Sequence, residues 1–392
     1  MTKVNVTGLG VVTALGISAK HHFNQLRSGV CGISQYQWDE QFLFAGKVHI
    51  NNRQLSSLCG VDFSPYTSRT ALLGLLASKE AFGGLKADSR YPISLINGTT
   101  VGGMDLSEAY FAAKRKGLPA DPRLLSMHDL GGNTSFIAGN LGEFGYVNTI
   151  STACSSAANA IMLGAQLIRS GKSHRVLVGG TDALCKFTIE GFKSLMIYDS
   201  HLCQPFDANR RGLNLGEGAA YLLLESEQSI SASGNQVLAE VRGWANRNDA
   251  FHNTGTSPDG IGAQKAMLAA LEVGGLRPNE ISYINAHGTG TANNDSSELS
   301  AMHSVFGDEL PAFSSTKGAT GHTLAASGAI EAVFSVESLI HNCTFGNANL
   351  SDPMTKSASL QRKSNSMDIR HLMSNSFGFG GNSTSLIFSK VR

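Results

Sequence analysis

The sequence predicts an α/β fold built twice over, as two related halves whose mixed sheets are covered by helices. Ile93-Ser94-Leu95-Ile96-Asn97 recurs as Ile281-Ser282-Tyr283-Ile284-Asn285, each an apolar strand running into a turn of small residues. Leu215-Gly216-Glu217-Gly218 and the apolar run to Leu224 have a counterpart in Phe379-Gly380-Gly381-Asn382 and the run to Phe388. Each half also opens on a strand, at residues 4–6 and 237–241. The same order in both halves marks a duplicated unit. Strands alternating with helical patterns imply parallel or mixed sheets.

Composition agrees with this reading. At 392 residues the chain exceeds one ordinary core. Its 44 glycines and 16% charged residues suit close packing rather than disorder. A net charge of +1 supplies no field for nucleic acid or membrane. The basic groups Lys114-Arg115-Lys116 and Arg169, Lys172, Arg175 read as solvated surface. Six cysteines, at 31, 59, 154, 185, 203 and 343, form no CxxC pair and have no metal-ligand spacing with histidine. They read as reduced thiols, and no metal site is expected. The opening strand at residues 3–9 predicts no signal peptide, and no apolar run is expected to reach membrane-spanning length. A cytoplasmic location follows from these expectations.

In the first half, Tyr146-Val147-Asn148-Thr149-Ile150 reads as a short buried strand, followed by Ser151-Thr152-Ala153-Cys154-Ser155-Ser156 and a helix over residues 157–168 that Gly171 ends. A cysteine at a strand-to-helix turn faces free backbone N–H groups and the positive end of a helix dipole. Both stabilise a thiolate and make an oxyanion hole. The competing reading is a small buried hydrophobe. The polar segment at residues 226–235 reads as the link, giving halves at 1–230 and 236–392.

The second half carries the histidines. Asn285-Ala286-His287-Gly288-Thr289-Gly290-Thr291 places His287 past a strand end among residues small enough to admit a substrate, with Asp295 and Glu298 at a following helix start. Ser314-Ser315-Thr316-Lys317-Gly318-Ala319-Thr320-Gly321-His322 repeats the layout before a helix over residues 324–340. A histidine near a helix N-terminus stays neutral and can donate an N–H to a carbonyl. Lys317 is expected to be buried, with Glu331 as its charge partner. Asn375-Ser376-Phe377-Gly378-Phe379-Gly380-Gly381 reads both as a tight turn and as a bendable loop carrying a bulky side chain.

Together with Pro205-Phe206-Asp207, Gly216-Glu217-Gly218-Ala219 and Asp249-Ala250-Phe251-His252-Asn253-Thr254, these motifs resemble the condensing β-ketoacyl-acyl-carrier-protein synthases of the thiolase fold. The match is to the elongating type I/II and covers nearly the whole chain. The resemblance implies five αβαβα layers and decarboxylative condensation of malonyl units. It makes Cys154 the acyl-accepting nucleophile, with His287 and His322 holding the malonyl thioester carbonyl and Lys317 supporting His322. The N–H groups of Cys154 and Phe379 would form the oxyanion hole, and Phe379 would gate malonyl entry. Thr289, Thr291 and Thr254, with Phe377, Gly380 and Gly381, would line the substrate channel, while Glu298 and Glu331 play supporting parts. No bound cofactor is implied, since substrates ride on the phosphopantetheine arm of acyl carrier protein. The implied partners are that carrier and a second subunit, in a homodimer or in a heterodimer with a ketosynthase-like chain-length factor. Lys114 to Lys116, Arg69 and Arg123 are carrier-docking candidates.

The neighbouring types differ in their residues. A thiolase would carry a second cysteine in the final glycine loop, an initiating synthase an asparagine at His322, and a chain-length factor no nucleophile. A cysteine hydrolase would leave Lys317 and His322 without a task. Type II fatty acid, polyketide and aryl-polyene pathways share the catalytic set. One departure stands out: the family loop Gly-Gly-Thr-Asn reads Gly380-Gly381-Asn382-Ser383 here, so altered gating is expected.

Overall fold

The computed structural model describes residues 2–391 apart from 39, 40, 84, 86, 87 and 89. An 11-stranded sheet is its frame. The main path uses β1 (Asn5–Thr13), β2 (Ile93–Gly98), β3 (Tyr146–Ile150), β4 (Arg175–Asp182) and β5 (Gly218–Glu225) from the first half. From the second it uses β6 (Ala239–Asn248), β7 (Tyr283–Asn285), β8 (Ala312–Ser314), β9 (His371–Gly378) and β10 (Asn382–Ser389). The spatial order is β8-β7-β9-β10-β6-β1-β5-β4-β2-β3. Each half therefore runs third, second, fourth, fifth, first.

Pairing directions repeat as well. β2 is parallel to β3 and β4, as β7 is to β8 and β9. β5 is antiparallel to β4 and β1, as β10 is to β9 and β6. The sequence repeats fall on equivalent strands, β2 with β7 and β5 with β10. The halves join where β1 meets β6 at Asn5 and Val6.

Five helices set the layers: α1 (Arg69–Phe82), α2 (Ser156–Arg169), α3 (Ile261–Gly274), α4 (Ala292–Phe306) and α5 (Ser327–His341). α1 packs on first-half strands and α3 on second-half strands, whereas α2 and α5 touch each other and strands of both halves. This is the expected αβαβα stack. The largest core lies in the middle layer, where Ile161 of α2 and Ile330, Val333 and Phe334 of α5 are buried with Leu222 and Phe388. Burying each such side chain contributes about 2 kcal/mol before entropy is counted.

Several expectations need correction. β3 is an edge strand, with Tyr146 and Val147 exposed, because no strand among the described residues pairs with its outer side. Within the segment at residues 226–235, Ser226 caps a short helix, Glu227–Ser233, by accepting the N–H of Ser229. Leu324–His341 is apolar and long enough, by length and composition, to cross a membrane; it is 89% buried as the central core helix. The basic trio of residues 169, 172 and 175 is not simple surface. Arg175 is buried against Glu225, and Arg169 lies over the Trp244 ring at 3.9 Å.

Close packing explains part of the glycine content. β1 lies so near α1 that a Cβ on Gly8 would sit 2.0 Å from the Ala81 carbonyl oxygen, and one on Gly10 2.0 Å from that of Ala77. Both obstacles are backbone and cannot rotate away. Gly10→Ala is expected to cost about 2 kcal/mol or more and to lower the melting temperature by several degrees in calorimetry. An unchanged melting temperature would mean that β1 and α1 separate without loss.

Candidate active site

The nucleophile turn joins β3 to α2. Ala153 takes a left-handed conformation, φ 51°, which swings Cys154 towards the second half. The Ser156 hydroxyl accepts the Thr152 N–H at 2.8 Å and donates to the Ala153 carbonyl at 2.6 Å, so local side chains hold the turn. Cys154 is 6% exposed. Burial pushes its thiol up to about 11, while the Lys317 ammonium and the N–H of Phe379 pull the other way. Burial is the largest influence on the thiol and opposes the thiolate that the nearby N–H groups favour.

His287 and His322 come from equivalent positions in the second half, after β7 and β8. Their rings sit 5.4 Å apart at 86°. The His287 turn hangs on two acids of α4. Glu298 accepts the N–H groups of His287 and Gly288, both at 2.9 Å, and Asp295 accepts those of Thr289 at 3.0 Å and Gly290 at 3.2 Å. Burial pushes Glu298 up to about 7, against the pull of those N–H donors.

Lys317 is buried with Glu331 as its ion-pair partner, as expected. Its other contacts correct the expectation. The ammonium meets His287 Nδ1 at 3.2 Å and the His287 carbonyl at 2.6 Å, so it serves His287 rather than His322. His322 instead receives the Leu324 N–H at Nδ1, 3.2 Å, with the Ser327 hydroxyl 2.9 Å away. Each Nδ1 faces a donor, which leaves the proton of each neutral ring on Nε2. Both rings lie well below the usual histidine range, first from burial and then from the Lys317 charge. The helix start expected to hold His322 neutral is therefore not the principal cause.

Cys154, His287 and His322 line one cavity of about 390 Å³. Phe377, Phe379, Thr254, Thr289 and Thr291 line it too. Phe377 packs beside His287, ring centroids 5.6 Å apart. Thr289 and Thr291 share a hydrogen bond of 2.9 Å, while Thr254 lies at the exposed end. Gly380 and Gly381 do not line the cavity; they form the bend behind Phe379, with φ of 78° and 76°. Phe192, unanticipated from the sequence, stacks on the Phe379 ring at 5.6 Å and 19°. Exposed Arg211 also lines the cavity, while Arg210 beside it bonds to the carbonyls of Thr291 and Ala292. The arrangement can present a thiol, two imidazole N–H donors and the backbone N–H of Phe379 to one bound thioester.

The model of the β-ketoacyl synthase N-terminal domain matches residues 1–229, and that of the C-terminal domain residues 238–351. The chain belongs to the β-ketoacyl synthase family. It is similar to a Synechocystis protein named 3-oxoacyl-[acyl-carrier-protein] synthase 2, 32% identical with 100% of this chain and 98% of that one covered. Among solved structures it resembles "The ishigamide ketosynthase/chain length factor", with TM-score 0.92, 28% identity and full coverage of both chains. It also resembles the ketosynthase ApeO in complex with its chain length factor ApeC from Xenorhabdus doucetiae, with TM-score 0.87, 30% identity and 100% and 98% coverage. The synthase is thus an acyltransferase of the condensing kind on a thiolase-like fold.

Its surface revises one docking candidate. Arg69 is bound to Glu217 at 2.7 Å and to the carbonyls of Val48 and Ile50, so it is a structural clamp. Arg123 is exposed but paired with Asp121 at 2.6 Å. Lys114, Arg115 and Lys116 remain exposed at the end of helix Met104–Arg115.

Proposed function

We propose that this synthase extends an acyl chain held on Cys154 by two carbons from a malonyl unit, both delivered on the phosphopantetheine arm of acyl carrier protein. Residues 1–230 supply the nucleophile; residues 236–392 supply the histidines, Lys317 and the gate. The observation that carries this reading is the meeting of one cysteine with two Nε2–H imidazoles in a cavity that both halves build.

In the first step the Cys154 sulfur forms a bond to the acyl carbonyl and the carrier's sulfur leaves, taking up a proton in place of the one the thiol gives up. In the second, the malonyl C–CO2 bond breaks, carbon dioxide departs, and the electron pair spreads onto the thioester oxygen. His287 and His322 hold that oxygen by their Nε2–H groups, with no change in their own protonation. The carbanion then attacks the acyl-Cys carbonyl. The N–H groups of Cys154 and Phe379 hold the tetrahedral oxyanion, which collapses to β-ketoacyl carrier and expels the Cys154 sulfur as a thiolate that takes up a proton from solvent. Lys317 positions His287, Glu331 balances the lysine charge, and Glu298 holds the His287 turn. Thr289, Thr291 and Thr254 bound the channel of the arm, and Phe379 closes it until Cys154 is acylated.

The pathway is type II fatty acid, polyketide or aryl-polyene assembly in the cytoplasm. The exposed edge strand β3 supports pairing with a second subunit through the first half. Two similar solved structures whose titles name a chain length factor support a heterodimer as the alternative to a homodimer.

Incubation with a bacterial acyl carrier protein loaded with chains of several lengths tests the first step. Peptide mass spectrometry is expected to find the acyl group on Cys154, with the preferred length showing the highest occupancy. An acyl group on Cys31, Cys59, Cys185, Cys203 or Cys343 instead would remove the nucleophile assignment.

A further inference from the structure

We propose that Asn382 is the fixed anchor of the Phe379 gate, its carboxamide fastening the strand behind the glycine bend to the turn that carries Cys154. This rests on the reading of Phe379 as a gate. Gly380 and Gly381 are consecutive left-handed residues, φ 78° and 76°. A Cβ on Gly380 would meet nothing within 4 Å, so the bend has room to rotate there once two bonds open: the Gly380 N–H donates to the Asn253 carbonyl at 2.8 Å, and its carbonyl accepts Asn248 Nδ2 at 2.6 Å.

That freedom ends at Gly381, where a Cβ would come within 2.3 Å of Asp249 Oδ1, and at Asn382 beyond it. Asn382 Oδ1 faces Asn246 Nδ2 at 2.6 Å, Asn159 Nδ2 at 3.1 Å and the Ser155 hydroxyl at 2.6 Å, whose one proton it shares with the Thr152 carbonyl at 2.7 Å. The two N–H groups of Asn246 are shared among Asn382 Oδ1, Asn159 Oδ1 at 3.0 Å and the Thr384 hydroxyl at 2.8 Å, and that hydroxyl donates to Asn159 Oδ1 at 2.9 Å. The network ties β6, β10 and α2 together directly behind the nucleophile, since Ser155 follows Cys154 in the chain and is fully buried.

The near end of the loop is held to the same turn. Gly378 lies so close that a Cβ on it would come within 3.0 Å of the Thr152 carbonyl oxygen and 3.2 Å of the Cys154 nitrogen. With residue 378 pressed on the turn and residue 382 bonded to it, the swing is confined to residues 379–381. The Phe379 ring then returns to Phe192, and its N–H to Cys154, after each opening. Asn382 is therefore a positioning residue: it acts on chemistry only through where Phe379 comes to rest. A threonine, which the related loop has here, carries one hydroxyl close to its backbone and cannot gather the same three donors.

The full-length protein is tested with malonyl and hexanoyl groups loaded on a bacterial acyl carrier protein, measuring carbon dioxide and β-ketoacyl product together. Phe379→Ala is expected to raise the ratio of carbon dioxide to product. Asn382→Ala is expected to raise it about fivefold, the scale of one lost hydrogen bond in a closing equilibrium. Asn382→Asp, which keeps an oxygen facing all three donors, is expected to restore the ratio to within about twofold of the original. Ser155→Ala removes one donor from the other side and raises the ratio less; it stands in for Asn382→Ala should that variant not fold.

An unchanged ratio in Asn382→Ala, or in Ser155→Ala standing in for it, alongside a raised one in Phe379→Ala overturns the anchor and leaves the gate. An unchanged ratio in Phe379→Ala overturns the gate itself, and the anchor with it. Failure of Asn382→Asp to restore the ratio also overturns the anchor, because the acceptor oxygen would then not be what matters.

Discussion

Cys154→Gln is expected to abolish condensation, by at least about a thousandfold in turnover, while the protein still releases carbon dioxide from malonyl carrier. The substitution removes the only thiol among the described residues that line the cavity and leaves its other walls. Condensation needs an acyl group on that sulfur; decarboxylation needs only donors for the enolate oxygen. Those donors belong to His287 and His322, which are held by Lys317, Leu324 and Ser327 and not by the cysteine. Product and carbon dioxide, measured side by side, separate the two steps. Loss of both activities in a folded Cys154→Gln protein would show that the thiol takes part in decarboxylation, which the geometry gives no means of doing.

The complementary result is expected for the histidines. His287→Ala or His322→Ala should each lower carbon dioxide release by about a hundredfold or more, the scale of one lost donor at a developing oxyanion. Acylation of Cys154 should persist, because the N–H groups of Cys154 and Phe379 are untouched. The pH dependence follows from the depressed basicity of both rings. An ordinary histidine changes charge near pH about 6.5. These two lie well below that, so as pH falls through 6.5 both remain neutral. Carbon dioxide release by Cys154→Gln should therefore show no step around pH 6.5. A step there that survives in both Glu298→Gln and Glu331→Gln, the two neighbouring carboxyls pushed up to about 7, would mean that at least one ring is solvated and ordinary, and normal decarboxylation in both histidine variants would remove the enolate assignment altogether.

Much of this protein was legible before any fold was known, because its information is local. The repeats at residues 93–97 and 281–285 marked a duplication, and they occupy equivalent strands. A cysteine at a strand-to-helix turn and two histidines after strand ends are short-range patterns, since turn chemistry is set by a few adjacent residues. Lys317 with Glu331 was also within reach, being close along the chain.

What the tertiary structure decided depends on residues far apart in sequence, whose meeting no periodicity records. Lys317 serves His287 because the loop after β8 returns beside the loop after β7, although His322 is nearer along the chain. Burial pushes the Cys154 thiol up, against the pull of Lys317 and the Phe379 N–H, and both the burial and those partners come from residues far along the chain. Arg69 looks like a surface cation until Glu217, 148 positions away, is seen to hold it. Phe192 closes against Phe379, and Asn382 reaches Ser155 across 227 positions. The departure at Asn382 pointed by itself only to the gating loop; the fold added the physical content by placing the Ser155, Asn246 and Asn159 donors around its carboxamide.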